Sequence, residues 1–128
     1  MNKLKNFVTS LHQKTKRNYL ARMNDDKISC MKISKKYGSK YWDGNRRFGY
    51  GGYKYIPGRS EKVAKKIINN YKLNEKSTIL DIGCGKGYLL YEIKKILPNI
   101  KIIGYDKSHY AIKNSKPEIK KFLKIKKE

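Results

Sequence analysis

The chain has 128 residues, 38% of them hydrophobic, and a formal net charge of +22 at pH 7, which allows one small domain with a lean core. No run approaches the roughly 18 to 20 apolar residues that span a bilayer, and the N-terminus MNKLKNFVTSLHQK lacks the apolar centre of a secretory signal, so a cytoplasmic location is expected. Cys30 and Cys84 form no CxxC pair, predicting reduced, inert thiols and no metal site.

Residues 1–37 predict two short amphipathic helices. Leu4, Phe7, Val8 and Leu11 recur at helical spacing, and beyond the polar break at 24–26 a second stripe of Cys30, Ile33 and Tyr37 runs to Gly38, a C-terminal stop. Helices this short need a docking surface. Residues 38–58, GSKYWDGNRRFGYGGYKYIPG, then hold six of the ten glycines beside Tyr41, Trp42, Phe48, Tyr50, Tyr53 and Tyr55. Turn-forming glycine with rigid aromatic area predicts a binding or lid loop, or a loop packed over the core. Residues 1–58 are thus read as an arm and loop, and 59–128 as the folded domain.

From Ser60 the pattern becomes regular. Ser60 and Glu61 open a helix whose buried stripe is Val63, Ala64, Ile67, Ile68 and Tyr71. Thr78 to Ile82 is apolar on both faces, the mark of a strand inside a parallel sheet. A helix carrying Leu89, Leu90, Ile93, Ile96 and Leu97 stops at Pro98, a second strand runs from Ile100 to Tyr105, and Ser108 caps a third helix with Ala111 and Ile112. The order β-α-β-α predicts an α/β sheet with right-handed crossovers.

The chemistry concentrates at the first strand-to-helix turn, Asp81-Ile-Gly83-Cys-Gly85-Lys-Gly87, where a doubly wound sheet presents ligands. Asp106 ends the next strand 19 residues beyond Gly87, placed to meet ribose hydroxyls. A dinucleotide turn wants glycine where Tyr88 stands, and a P-loop pattern fails around Gly85-Lys86. A carboxylate about 5 Å from a pyrophosphate would cost on the order of 3 kcal/mol at an effective dielectric near 20, and would favour a cationic amine by a similar amount. S-adenosylmethionine, cationic at one end with a free ribose in the middle, meets both demands.

The stretches "ILDIGCGKG" and "IIGYDKS" resemble the first and second motifs of Rossmann-like S-adenosylmethionine-dependent methyltransferases. "TKRNYLARMNDDK" and "YWDGNRRFGYGGYKYIPGR" resemble the N-terminal part of a bacterial subgroup linked to saccharide or surface-polymer biosynthesis. The resemblance implies a methyltransferase with a small-molecule or saccharide acceptor. It places the backbones of Gly83, Gly85 and Gly87 at the turn that faces the methionine portion, Asp81 at its amino group, Asp106 at the ribose, and Lys107 and Ser108 beside the adenine. On chemical grounds, Tyr53 and Arg59 close over the methionine carboxylate.

The resemblance also implies a sheet of about seven strands with the first one central. This chain would then stop near the start of the third strand, as a truncated or split form whose first strand lies bare unless a partner chain or the N-terminal arm covers it. His12 and His109 are expected at the surface, and no catalytic base is assigned. The competing expectation is a non-catalytic basic module that binds RNA or a protein partner, since a basic face gains affinity by releasing counterions from phosphate. Lysine outnumbering arginine 27 to 5 argues against a dedicated nucleic-acid reader.

Overall fold

The computed structural model describes residues 3–13 and 16–127. Helices α1 (Thr9–His12), α2 (Tyr19–Met23), α3 (Lys27–Ser34) and α4 (Ser39–Asp43) and a 3-10 turn at Arg46–Phe48 form the N-terminal part. Then follow α5 (Glu61–Tyr71), β1 (Thr78–Ile82), α6 (Tyr88–Ile96), β2 (Lys101–Asp106), α7 (His109–Lys113), a 3-10 turn at Lys120–Phe122 and β3 (Leu123–Ile125). This is the predicted α/β class. The three strands are parallel and stand in the order β1-β2-β3, with Asp81 opposite Gly104, and Gly104 opposite Leu123.

Strand order that advances in one direction, with right-handed crossovers, puts successive helices on one face of the sheet. The core accordingly gathers Ala64 of α5, Leu90 and Ile93 of α6, Ile102 of β2, and Ile119 and Leu123, with Ile112 of α7 packed against it. The other face differs from expectation. β1 was read as buried on both sides, yet Leu80 and Ile82 are 49% and 78% exposed. Crossovers that all fall on one side leave them uncovered, and among the described residues β1 pairs on one edge only. The third strand, expected to begin about where the chain stops, is present as the short β3.

The N-terminal part departs further from its periodicity. Only Leu11 of the first stripe lies within a helix, because α1 begins at Thr9, and Leu4 is almost fully exposed. The left-handed stop after α3 falls on Tyr37 (φ 48°), while the expected stop, Gly38, is extended and precedes α4. Residues 38–58 are therefore part helix, pinned by packing rather than by propensity. Tyr50 N–H donates to Tyr41 O at 2.9 Å and Gly52 N–H to Trp42 O at 3.1 Å, folding the loop back on α4. Ser60 precedes α5 as expected, but its side chain makes no capping bond.

Candidate functional site

β1 and β2 run parallel, so Asp81 near the end of one and Asp106 at the end of the other lie on the same edge of the sheet. The turn between β1 and α6 is pinned to that edge: the N–H groups of Gly83 and Cys84 both donate to Tyr105 O, at 2.8 and 3.0 Å. Asp106 completes the tie, its two carboxylate oxygens accepting Gly85 N–H at 2.8 Å and Ser108 N–H at 2.7 Å. Burial, reinforced by the charge of Asp106, raises the Asp81 carboxyl above its usual range. Burial and the same two carboxylates push the Cys84 thiol up to about 12, which keeps it protonated and inert.

The three glycines of the turn all have positive φ, and their surroundings differ. A β-carbon on Gly83 would meet nothing within 4 Å, so backbone is open to a ligand there. On Gly85 it would lie 2.8 Å from the Trp42 ring, and on Gly87 2.5 Å from Ile119. The close approach at Gly85 and Gly87 is thus made by the protein's own side chains. Tyr88, which replaces the third glycine of a dinucleotide turn, stacks on Tyr53 at 5.2 Å and donates its hydroxyl to Tyr53 O at 3.1 Å.

α4 supplies what the motif alone does not. Trp42 is buried against the turn, donates its indole N–H to Ser108 Oγ at 3.0 Å, and stacks on Tyr50 at 5.3 Å. Its neighbour Asp43 reaches Lys86 Nζ inside the glycine turn at 2.7 Å. Lys86 is 4% exposed, and its second partner is Tyr53 O at 2.7 Å. Tyr110 OH and Tyr53 N–H also donate to Asp43, at 2.7 and 2.9 Å. Burial alone would raise the Asp43 carboxyl, but these bonds and the Lys86 charge outweigh it and hold it at about 2.

A cleft of about 710 Å³ opens beside this edge. Gly83, Asp106 and Lys107 line it, with Leu80 and Ile82 as apolar floor and Tyr41, Trp42 and Tyr50 as an aromatic wall. Ser108 is placed differently from Lys107. It is buried, and its hydroxyl donates to Tyr37 O, accepts from Trp42, and caps α7 through Ala111 N–H at 3.0 Å. Tyr53 packs on Tyr50 at 4.5 Å and on Trp42 at 5.2 Å, and lines a second cleft together with Arg59. His109 is exposed, and His12 borders that second cleft.

In the sequence Trp42 is one aromatic among several, and nothing singles out Asp43, Lys86 or the Tyr37 carbonyl. The density of rings in 38–58 was the available signal for the wall. The Asp43–Lys86 pair, 43 residues apart, left none.

No curated protein sequence matches the chain significantly. Among solved structures, a coclaurine N-methyltransferase bound to N-methylheliamine and SAH is similar with 14% identity and a TM-score of 0.44. That likeness covers 94% of this chain and 40% of that one, so the chain spans less than half the length of the protein it resembles. No described helix is long and apolar enough to cross a membrane. Residues 73–126, which include the glycine turn, both acidic strand tips and β3, match the family model of a methyltransferase domain.

Proposed function

We propose that the protein is an S-adenosylmethionine-dependent methyltransferase. The observation that carries this reading is the pair of carboxylates at adjoining strand tips with open backbone at Gly83 beside them. The residues present fit the cofactor. Asp81, raised by burial and by Asp106, gains from a neighbouring ammonium. Asp106 spends one lone pair per oxygen on backbone N–H groups, which leaves acceptor capacity for ribose hydroxyls. Lys107 borders the same cleft, and its volume suits a nucleoside joined to an amino acid.

When bound, the cofactor supplies an electrophilic methyl on sulfonium, and transfer to an acceptor lone pair breaks the carbon–sulfur bond to leave a neutral thioether. The protein's share is to position and to exclude water. The rings of Tyr41, Trp42 and Tyr50 form one wall of the cleft and keep water from it. Gly85, Gly87 and Ser108 act behind this surface, fixing the turn against α4 and the core. The resemblance of the N-terminal part supports a saccharide-related acceptor, and the edge of β1 that pairs with no strand among the described residues supports a further strand supplied there by a partner chain.

Trp42 is the sole tryptophan and lines the cleft, so its emission reports directly on occupancy. Titration with S-adenosylhomocysteine is expected to give a saturable change. If RNA oligonucleotides change the emission with strong salt dependence and S-adenosylhomocysteine does not, the reading fails in favour of a basic binding module.

A further inference from the structure

The second cleft, about 440 Å³, shares Tyr50 with the first. Its lining divides by chemistry. Arg17, Arg46 and Arg59, three of the five arginines in the chain, border it together with Lys54 and His12. Among the described residues no carboxylate does. Apart from Gly52 and Ser60, the rest is apolar or aromatic, including Val63, Leu89, Tyr55 and Tyr88. Carboxylates on the adjoining helices are engaged elsewhere: Glu61 pairs with Lys65 at 2.8 Å, while buried Glu92 accepts Tyr55 OH and faces Lys95 at 3.7 Å.

Arg46 is fixed in place without an acid. Its guanidinium donates to Gly49 O at 2.7 Å and Tyr50 O at 3.1 Å. Burial, together with the charges of Arg17 and Arg22, pulls its pKa down, a crowding of like charge that a bound anion relieves. Guanidinium forks match carboxylate and phosphate oxygens in pairs, and the volume lies in the range of small-ligand sites. A chain of net charge +22 also steers anions toward it.

We propose that this second cleft is the acceptor subsite and that, in place of the saccharide the N-terminal resemblance implies, the methyl acceptor is a small anion, carboxylate or phosphate, on an apolar or aromatic body. The proposal rests on the methyltransferase reading, whose own ligand is tested separately below. Arg17, Arg46 and Arg59 hold the charged group, and the tyrosine and leucine surface takes the body. Tyr50, common to both clefts, stands where acceptor and cofactor meet.

Equilibrium dialysis of the full chain against benzoate, phenyl phosphate and uncharged benzyl alcohol at fixed ionic strength tests this. At least one anion is expected to bind saturably, at least tenfold more tightly than the alcohol, and the better of the two identifies the charged group. Arg17 and Arg59 are exposed, so substitution leaves the core intact. Arg17→Gln and Arg59→Gln are each expected to weaken the anion at least fivefold, with Arg17→Gln leaving S-adenosylhomocysteine affinity within twofold. Equal binding of anion and alcohol, or anion binding indifferent to both substitutions, overturns the proposal. So does Arg59→Gln weakening S-adenosylhomocysteine while sparing the anion, which assigns that arginine to the cofactor carboxylate. RNA binding that benzoate and phenyl phosphate fail to displace also overturns it, in favour of a nucleic-acid surface. Anion binding intact with no S-adenosylhomocysteine binding to the wild type sinks the methyltransferase reading and the acceptor role, while the anion site stands.

Discussion

The indole of Trp42 fills the space that a side chain on Gly85 would need: a β-carbon there would lie 2.8 Å from the ring. The glycine turn is therefore shaped to receive α4 as much as a ligand. Gly85 also has φ of 57°, which a side chain adopts only with strain. Gly85→Ala is expected to cost roughly 2 to 3 kcal/mol, combining left-handed strain with overpacking. Urea unfolding measures the loss, and a red-shifted Trp42 emission in the folded state checks that α4 has been pushed off the turn.

The Asp43–Lys86 pair makes a second, independent link between α4 and the turn. Asp43→Ala leaves Lys86, 4% exposed, without its counter-ion while the Tyr53 carbonyl still accepts from it, and loss of this half-buried charged hydrogen bond is expected to cost roughly 1.5 to 3 kcal/mol. Asp43 and Lys86 both to Ala, or Lys86→Met with Asp43→Ala, should recover part of that loss. A double-mutant cycle by chemical denaturation reads the coupling.

The same carboxylate gives stability a defined dependence on acid. Held at about 2 in the folded protein, below its ordinary value of 3.8, Asp43 contributes stability that is fully present above pH about 4 and lost as pH falls toward 2. Asp43→Asn is expected to flatten this part of the acid unfolding profile. Melting temperatures between pH 5 and 2 check it.

Asp81 carries the opposite sign. Its folded pKa is raised by burial and by Asp106, so ionising it in the ligand-free protein lowers stability as pH rises through the raised value. Asp81→Asn is thus expected to melt higher than wild type at neutral pH and to bind S-adenosylhomocysteine at least tenfold more weakly. In the wild type, affinity falls as pH is lowered through the Asp81 titration, and in the variant that slope disappears. A variant that loses binding and stability together would point to a purely structural role.

The regular elements were legible because their signals are local. Thr78 to Ile82 became β1 with those bounds, the stripe from Val63 to Tyr71 became α5, and Asp106 stands at the end of β2 beside the turn. The N-terminal part was not legible in the same way. Its helices are four to eight residues long, too short for periodicity to fix, and they are held by contacts such as Trp42 to Ser108, 66 residues apart. The exposed side of β1 was missed for a different reason. A pattern apolar on both faces states what a strand prefers to bury, and here crossovers in one direction cover only one of them. The burial of Lys86 left no local signal, because its partner Asp43 lies 43 residues away.

On the proposed function, the carboxylates of Asp81 and Asp106 at neighbouring strand tips receive a nucleoside with a cationic tail. Calorimetric titration of the full chain with S-adenosylhomocysteine at neutral pH, in wild type and in Asp106→Ala, tests it most directly. One-to-one saturable binding that falls at least tenfold on losing the Asp106 carboxylate is the expected result. Heat of binding that is absent from the wild type, or unchanged by Asp106→Ala in a variant shown to be folded, would contradict the account.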